Sequence, residues 1–319
     1  MPSYSGVWSL PAVYQAVAQG QWNPPVGDRG LFGGGQLTSG SYSNTIDYVE
    51  IATTGNATDF GDLTVAYAFI ASCASSTRAL FYAGYTGSVN NTICYVNILS
   101  TGNALDFGDI YNTTYVGYGC SNSTRGIMAG GFNLTASVNV ISYMTIATTG
   151  NSVDFGDLTV ARYGSQSCAS TTRAVFGSGY LDPPATNVMD YITIATTGNA
   201  TDFGDCVPIQ KLGGGCGSST RGLFGGDNDS SNVIQYITIA SVGNTTDFGD
   251  LIDAMGRNCG TSNATRGLFA AGSTGAAANT SFNAINYVTI ASTGNATDFG
   301  DTSVARLGLT GTSNAHGGL

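Results

Sequence analysis

The chain has 319 residues, of which only 9% are charged, and it carries a net charge of −10. An acidic chain with no basic patch excludes nucleic acid and anionic membrane as natural partners. No apolar run reaches the roughly 18 residues of a membrane helix, so no membrane insertion is expected, and the start lacks the pattern of a signal peptide.

Residues 1–28 stand apart as an N-terminal anchoring segment. Ser9 can N-cap a short helix over residues 10–18, with Leu10, Val13, Tyr14 and Val17 on one face and Gly20 ending it. Trp8 and Trp22 flank it, and Pro24-Pro25 forms a stiff spacer. Two helical turns are marginal alone. The apolar face therefore docks on the rest of the chain or serves as a peg in another subunit or protein, with Trp8, Leu10, Val13, Tyr14, Val17 and Trp22 as anchoring residues.

From residue 29 to 319 one phrase recurs. Asp-Phe-Gly-Asp stands at 59–62, 106–109, 154–157, 202–205, 247–250 and 298–301, at intervals of 45 to 51 residues. Self-similarity at that period signals units that bury their apolar faces against one another. In the third unit, residues 140–146 are β-branched and aromatic on both alternating faces, so they form a strand buried on both sides. Thr149-Gly150-Asn151 is a hairpin signal, and residues 153–158 make the next strand. A third strand is expected over 161–168 and a fourth from Arg173. No helical periodicity appears in the repeat. Four short strands per unit make the blade of an all-β propeller.

Six strands begin with arginine, at Arg29, Arg78, Arg125, Arg173, Arg221 and Arg266. The first unit lacks the strand before Arg29, and the chain ends after supplying one such strand. The C-terminal strand is therefore expected to complete the N-terminal blade and close a six-bladed ring without open sheet edges at the join.

Twelve of the twenty acids lie in the six tetrapeptides. Asp59, Asp106, Asp154, Asp202, Asp247 and Asp298, in register with Arg78, Arg125, Arg173, Arg221 and Arg266, read as a repeated latch of carboxylates accepting guanidinium or turn N–H groups. A ring of calcium sites is the alternative. Four of the seven cysteines, Cys73, Cys120, Cys168 and Cys216, lie five residues before a repeat arginine. An odd count without a CxxC spacing excludes a disulfide framework and a zinc site, and leaves small buried hydrophobes. No cofactor or metal is expected.

Lys211 is the only lysine, Glu50 the only glutamate and His316 the only histidine. Histidine-ligated copper chemistry and sialidase chemistry lack their residues, and a Ser–His–Asp triad would depend on His316 alone, so the chain reads as non-enzymatic. Symmetry breaks in the loops after the glycines, whose lengths and residues vary. Equivalent propeller loops share one rim, where variable loops form a recognition surface or are solvated connectors. Tyr42, Tyr85, Tyr180, Asp182, Asp227 and Asp229 are the candidate rim residues.

The order of glycine pair (Gly130-Gly131, Gly225-Gly226), tyrosine-bearing strand (Tyr48, Tyr95, Tyr143, Tyr191, Tyr236, Tyr287) and aromatic fourth strand (Phe60, Phe107, Phe155, Phe203, Phe248, Phe299) resembles the kelch repeat. Phenylalanine stands where kelch repeats usually carry tryptophan. Ser5-Gly6-Val7-Trp8-Ser9-Leu10 with Tyr14-Gln15-Ala16 is similar to a leader of structural proteins of marine bacteriophages, and repeats like Thr-Gly-Asn-Ala-Thr-Asp-Phe-Gly-Asp-Leu-Thr-Val-Ala-Arg occur in such virion proteins. That resemblance implies an extracellular virion protein of the tail or capsid. Residues 1–28 would join other virion proteins, and the rim would meet a host-surface glycan or a neighbouring virion protein, with a homo-oligomer on the particle as one arrangement. A lectin-like or scaffold module of a cell-surface protein is the alternative.

Overall fold

A computed structural model describes residues 27–229, 231–274 and 281–319. These form six four-stranded antiparallel sheets arranged as a six-bladed β-propeller. The second blade runs from inside outward as Ala71–Ala74, Arg78–Tyr82, Thr92–Asn97 and Leu105–Asp109. The third to sixth blades repeat that order, with inner strands Tyr118–Ser121, Gln166–Ala169, Gly214–Gly217 and Cys259–Ser262. In the first blade the inner strand is Thr310–Ser313, which pairs antiparallel with Arg29–Gly33 in the register Leu31↔Thr312. The C-terminal strand thus completes the N-terminal blade. A second tie, Gln36–Leu37 with Arg306–Leu307, reinforces the join. The residues expected to anchor the chain, Trp8, Leu10, Val13, Tyr14, Val17 and Trp22, lie outside the described residues.

Apolar side chains fill the spaces between blades. Leu31, Ile46 and Phe60 of the first blade meet Ala79, Phe81 and Val96 of the second, and comparable clusters recur around the ring. Full burial of one such phenylalanine contributes about 1.5–3 kcal/mol. Neither blade face is expendable, which explains the apolar residues on both alternating faces of the third strands.

The Asp-Phe-Gly-Asp phrase is a backbone device. Its phenylalanine sits at a β-bulge: Ile46 pairs with Gly61, Asp47 pairs with Asp59, and Phe60 is left to turn into the core at 2% exposure. Gly61 has φ +145°, and a Cβ there would lie 2.5 Å from the carbonyl oxygen of Gly102 in the next blade. That closeness lets Gly102 N–H donate to Phe60 O (2.8 Å) and Ala104 N–H to Asp62 O (2.8 Å). The Asn103 side chain accepts from Asp62 N–H at 3.1 Å. The same staple joins each blade to the next, and the last one links Gly300 and Asp301 to Gly55 and Asn56.

The expected carboxylate–guanidinium latch is not what forms. Asp59, Asp106, Asp154, Asp202, Asp247 and Asp298 are exposed on the outer strands. Among the described residues, no repeat arginine is ion-paired to any of them. Arg78, Arg125, Arg173, Arg221 and Arg266 instead lie over Tyr95, Tyr143, Tyr191, Tyr236 and Tyr287, at 4.2–4.8 Å from the ring centroids. From there they reach into the next blade. Arg125, for example, donates to the carbonyls of Ile194 and Ala195, both at 2.9 Å. A guanidinium held against a ring face satisfies orphan turn carbonyls without burying a carboxylate. The acids charge the outer edge strands instead, which discourages edge-to-edge pairing.

The predicted strand over 161–168 is also shortened. The inner strand begins at Gln166, because Arg162 turns inward and Gly164 adopts φ +71°, which ends the extended run.

Candidate functional site

The chain alternates between two faces of the ring. The connections from each outer strand to the next inner strand share one face with the loops between second and third strands. The hairpin turns occupy the other face. Gly27 is there too, beside the Asn314 side chain that donates to its carbonyl at 3.3 Å. The described chain therefore enters on the face opposite the variable loops.

At the centre of the loop-bearing face the backbone closes on itself. Phe69 N–H donates to Gly308 O at 2.6 Å, Gly308 to Arg257 at 2.8 Å, and Arg257 to Leu212. Leu212 donates to Gly164 at 2.7 Å, Gly164 to Val116 at 3.3 Å, and Val116 back to Phe69 at 3.0 Å. All six residues have φ between +54° and +71°, and that left-handed conformation turns each N–H toward its neighbour. Behind this washer the axis is tight: a Cβ on Gly119 would lie 2.2 Å from Ser72 O, and one on Gly215 would lie 2.3 Å from Ser167 O. The axis holds cavities of only about 100 and about 50 Å³, well below the several hundred Å³ of an ordinary small-molecule site. A shallow hollow of about 420 Å³ beside Arg78 and Tyr95 recurs in smaller form beside Tyr48 and Tyr236, so it belongs to the blade pattern.

The opposite end of the axis is closed by the residues after the clasp strand. His316 Nε2 donates to Ala74 O at 2.9 Å, and its Nδ1 accepts Gly318 N–H at 3.1 Å. Ser121 Oγ is 3.2 Å from Nε2 and also donates to Ala74 O at 2.8 Å. The nitrogen that a triad acid would orient is thus occupied by a backbone amide, and Nε2 carries the proton it would need to accept. Among the described residues no group of three or more His, Cys, Asp or Glu could hold a metal ion. All seven cysteines are free and buried, and burial pushes the Cys73 thiol up to about 12. They are inert packing groups, as on Cys73, whose Sγ would lie 2.4 Å from a Cβ on Gly126.

What remains is an asymmetric rim. Tyr42, Tyr85, Tyr115, Phe132, Tyr163 and Tyr180 follow one another with centroid steps of 6.0, 5.0, 6.0, 5.2 and 5.2 Å. All six are half-buried, so their roots are packed and part of each ring is open. Backbone bridges Ala68↔Tyr85, Tyr115↔Phe132 and Tyr163↔Tyr180 hold the two loops of each blade together beneath them. The equivalent bridges elsewhere carry Gly256 with Ser273 and Leu307 with Gln36, so the aromatic arc is confined to one side of the ring.

The arc ends at a charged knot. Lys211 Nζ lies 5.7 Å from the Tyr180 ring centroid, 3.2 Å from Asp227 and in close contact with Asp229. Burial pulls the Lys211 ammonium down, but the two carboxylates more than offset it and hold the pKa above its ordinary value. Asn228 bridges the Tyr180 hydroxyl (3.3 Å) and Arg257 (3.0 Å). Asp182 accepts the Ser137 N–H at 3.2 Å.

Of the expected rim residues, Tyr42, Tyr85 and Tyr180 thus join one surface, whereas Asp182, Asp227 and Asp229 are engaged in holding loops. Tyr115, Phe132 and Tyr163 were not picked out from sequence. Tyr115 and Tyr163 share one offset from the preceding tetrapeptide, and Phe132 directly follows Gly131 as Tyr85 follows Gly84 and Tyr180 follows Gly179, so the signal was present. No protein-family model matches the chain, and no curated protein matches it at significant similarity.

Proposed function

We propose that the chain is a non-enzymatic display module: a kelch-like propeller carried on a phage particle, in tail or capsid, that presents its loop-bearing face to a host surface or a neighbouring virion protein. The observation that carries this reading is the opposition of the two faces. The aromatic arc breaks the six-fold symmetry on one face, and the chain enters the ring at Gly27 on the other. An attachment segment leading to that second face leaves the first one free. The closed washer and the narrow axis favour surface recognition over an enclosed substrate. The leader resemblance supplies the virion context.

The test separates attachment from recognition. A chain lacking residues 1–26 is expected to fold but to be missing from assembled particles, whereas Tyr115→Ala in the full chain is expected to assemble normally and adsorb poorly to cells. Normal incorporation of the shortened chain would refute the anchoring role. The same arc also suits a lectin-like module of a cell-surface protein. Cross-linking residues 1–28 to their neighbours in the intact assembly distinguishes the two by the identity of those neighbours.

A further inference from the structure

We infer that the arc from Tyr42 to Tyr180 is a binding site for a neutral, extended oligosaccharide chain, an assignment that rests on the reading of the loop-bearing face as the recognition side.

The chemistry of the arc selects this class. Its rings stand 5.0–6.0 Å apart, the packing distance of aromatic pairs, at interplanar angles of 23–89°, so together they form one continuous, partly open apolar surface rather than a row of parallel plates. A pyranose presents a C–H face to an aromatic ring and hydroxyls at its edge. Among the described residues the hydroxyls of Tyr42, Tyr85, Tyr115 and Tyr163 have no hydrogen-bond partner, so each ring pairs apolar surface with a polar tip.

Other ligand classes fit less well. The chain's net charge of −10 repels an anionic polymer. A cationic chain would meet charge at one end of the arc only: Asp182 keeps its charge while accepting the Ser137 amide, whereas Asp227 and Asp229 are held by Lys211. A peptide adding as a strand needs an open backbone edge, but the bridges at Tyr85, Tyr115 and Tyr163 already use the backbone there. The span across several blades favours a chain over a single sugar.

The experiment is retention of the full-length protein on an array of neutral, anionic and cationic oligosaccharides of graded length, followed by titration with the best-retained one. Neutral saccharides longer than a disaccharide are expected to be retained. Tyr115→Ala and Tyr163→Ala are each expected to weaken binding about fivefold, as loss of one stacked ring does. Tyr115→Phe keeps the ring but loses the hydroxyl, and should weaken binding less than Tyr115→Ala does. Thermal melting confirms that each variant folds. Retention confined to charged saccharides, no retention anywhere on the array, or indifference to both alanine changes overturns the assignment. If nothing on the array is retained but both alanine variants stop particles adsorbing to cells, the recognition face stands and the ligand class falls. If adsorption is also unchanged, both fall.

Discussion

Arg306 and Asp47 lie 259 residues apart in sequence, yet their guanidinium and carboxylate meet at 2.6 Å with neither side chain exposed. Arg306 leads into the clasp strand and Asp47 belongs to the third strand of the same blade. Arg162 and Asp190 repeat the pairing at 2.7 Å in the fourth blade, again fully buried. In the second blade the same two positions hold Tyr67 and Cys94, with Oη and Sγ at 3.4 Å. Three blades thus fill the same two positions with three different matched pairs. Burial pulls Arg306 below its ordinary pKa, and the Asp47 charge opposes that pull.

Removing one partner strands a buried charge, which costs about 3–5 kcal/mol. Arg306→Met is therefore expected to lower stability by that order in urea unfolding. The double change Arg306→Tyr with Asp47→Cys installs the second blade's pair and should recover most of the loss. A double variant no more stable than Arg306→Met would show that the pair is not transferable between blades.

The glycine of the tetrapeptide is expected to be stricter than the glycine it faces. Gly61 combines φ +145° with a neighbour 2.5 Å from any added Cβ, whereas Gly102, at φ +156°, has nothing within 4 Å. Gly61→Ala should cost more than about 1 kcal/mol, and clearly more than Gly102→Ala, because it adds a clash to the strain. Equal midpoint shifts in the two variants would remove the close approach as the explanation.

The exposed acids and the repeat arginines should behave in opposite ways. Asp59→Asn touches no partner and is expected to stay within about 0.5 kcal/mol of the parent. Arg125→Ala loses its hold on the Ile194 and Ala195 carbonyls and its place over Tyr143, and should cost about 1–2 kcal/mol. Neutralising the exposed aspartates of all the outer strands together should instead promote association, visible by light scattering. A strictly monomeric protein at high concentration would contradict the edge-charging role.

His316 predicts an acid sensitivity. Burial lowers its pKa from the ordinary 6.5, and the Ala74 carbonyl only partly opposes this. The groups facing it are the Ala74 carbonyl, the Ser121 hydroxyl and the Gly318 amide. Unfolding therefore takes up a proton between the folded pKa and about 6.5. The stability tied to neutral His316 is complete above about pH 6.5, declines as pH falls toward the folded value, and is level below it. An NMR titration of the imidazole should give a midpoint below that of the unfolded chain, and His316→Gln should flatten the dependence of melting temperature on pH in that window. An imidazole titrating at or above its unfolded value would contradict the plug geometry.

Much of this protein was readable before its structure. The period of Asp-Phe-Gly-Asp, the count of arginine-led strands and the missing strand before Arg29 determined a six-bladed ring closed by its own C-terminus, because blade count and strand order depend on local pattern and chain length. The glycines and hairpin signals likewise marked turns through backbone conformation alone. Only the tertiary structure decided the partners. Arg125 chooses the carbonyls of Ile194 and Ala195 over an aspartate in register with it, since the next blade presents orphan carbonyls where the guanidinium ends and the acid points to solvent. Tyr115, Phe132 and Tyr163 become one surface with Tyr85 and Tyr180 only when the ring closes, because residues from separate blades acquire a shared edge through curvature, which no stretch of sequence encodes by itself.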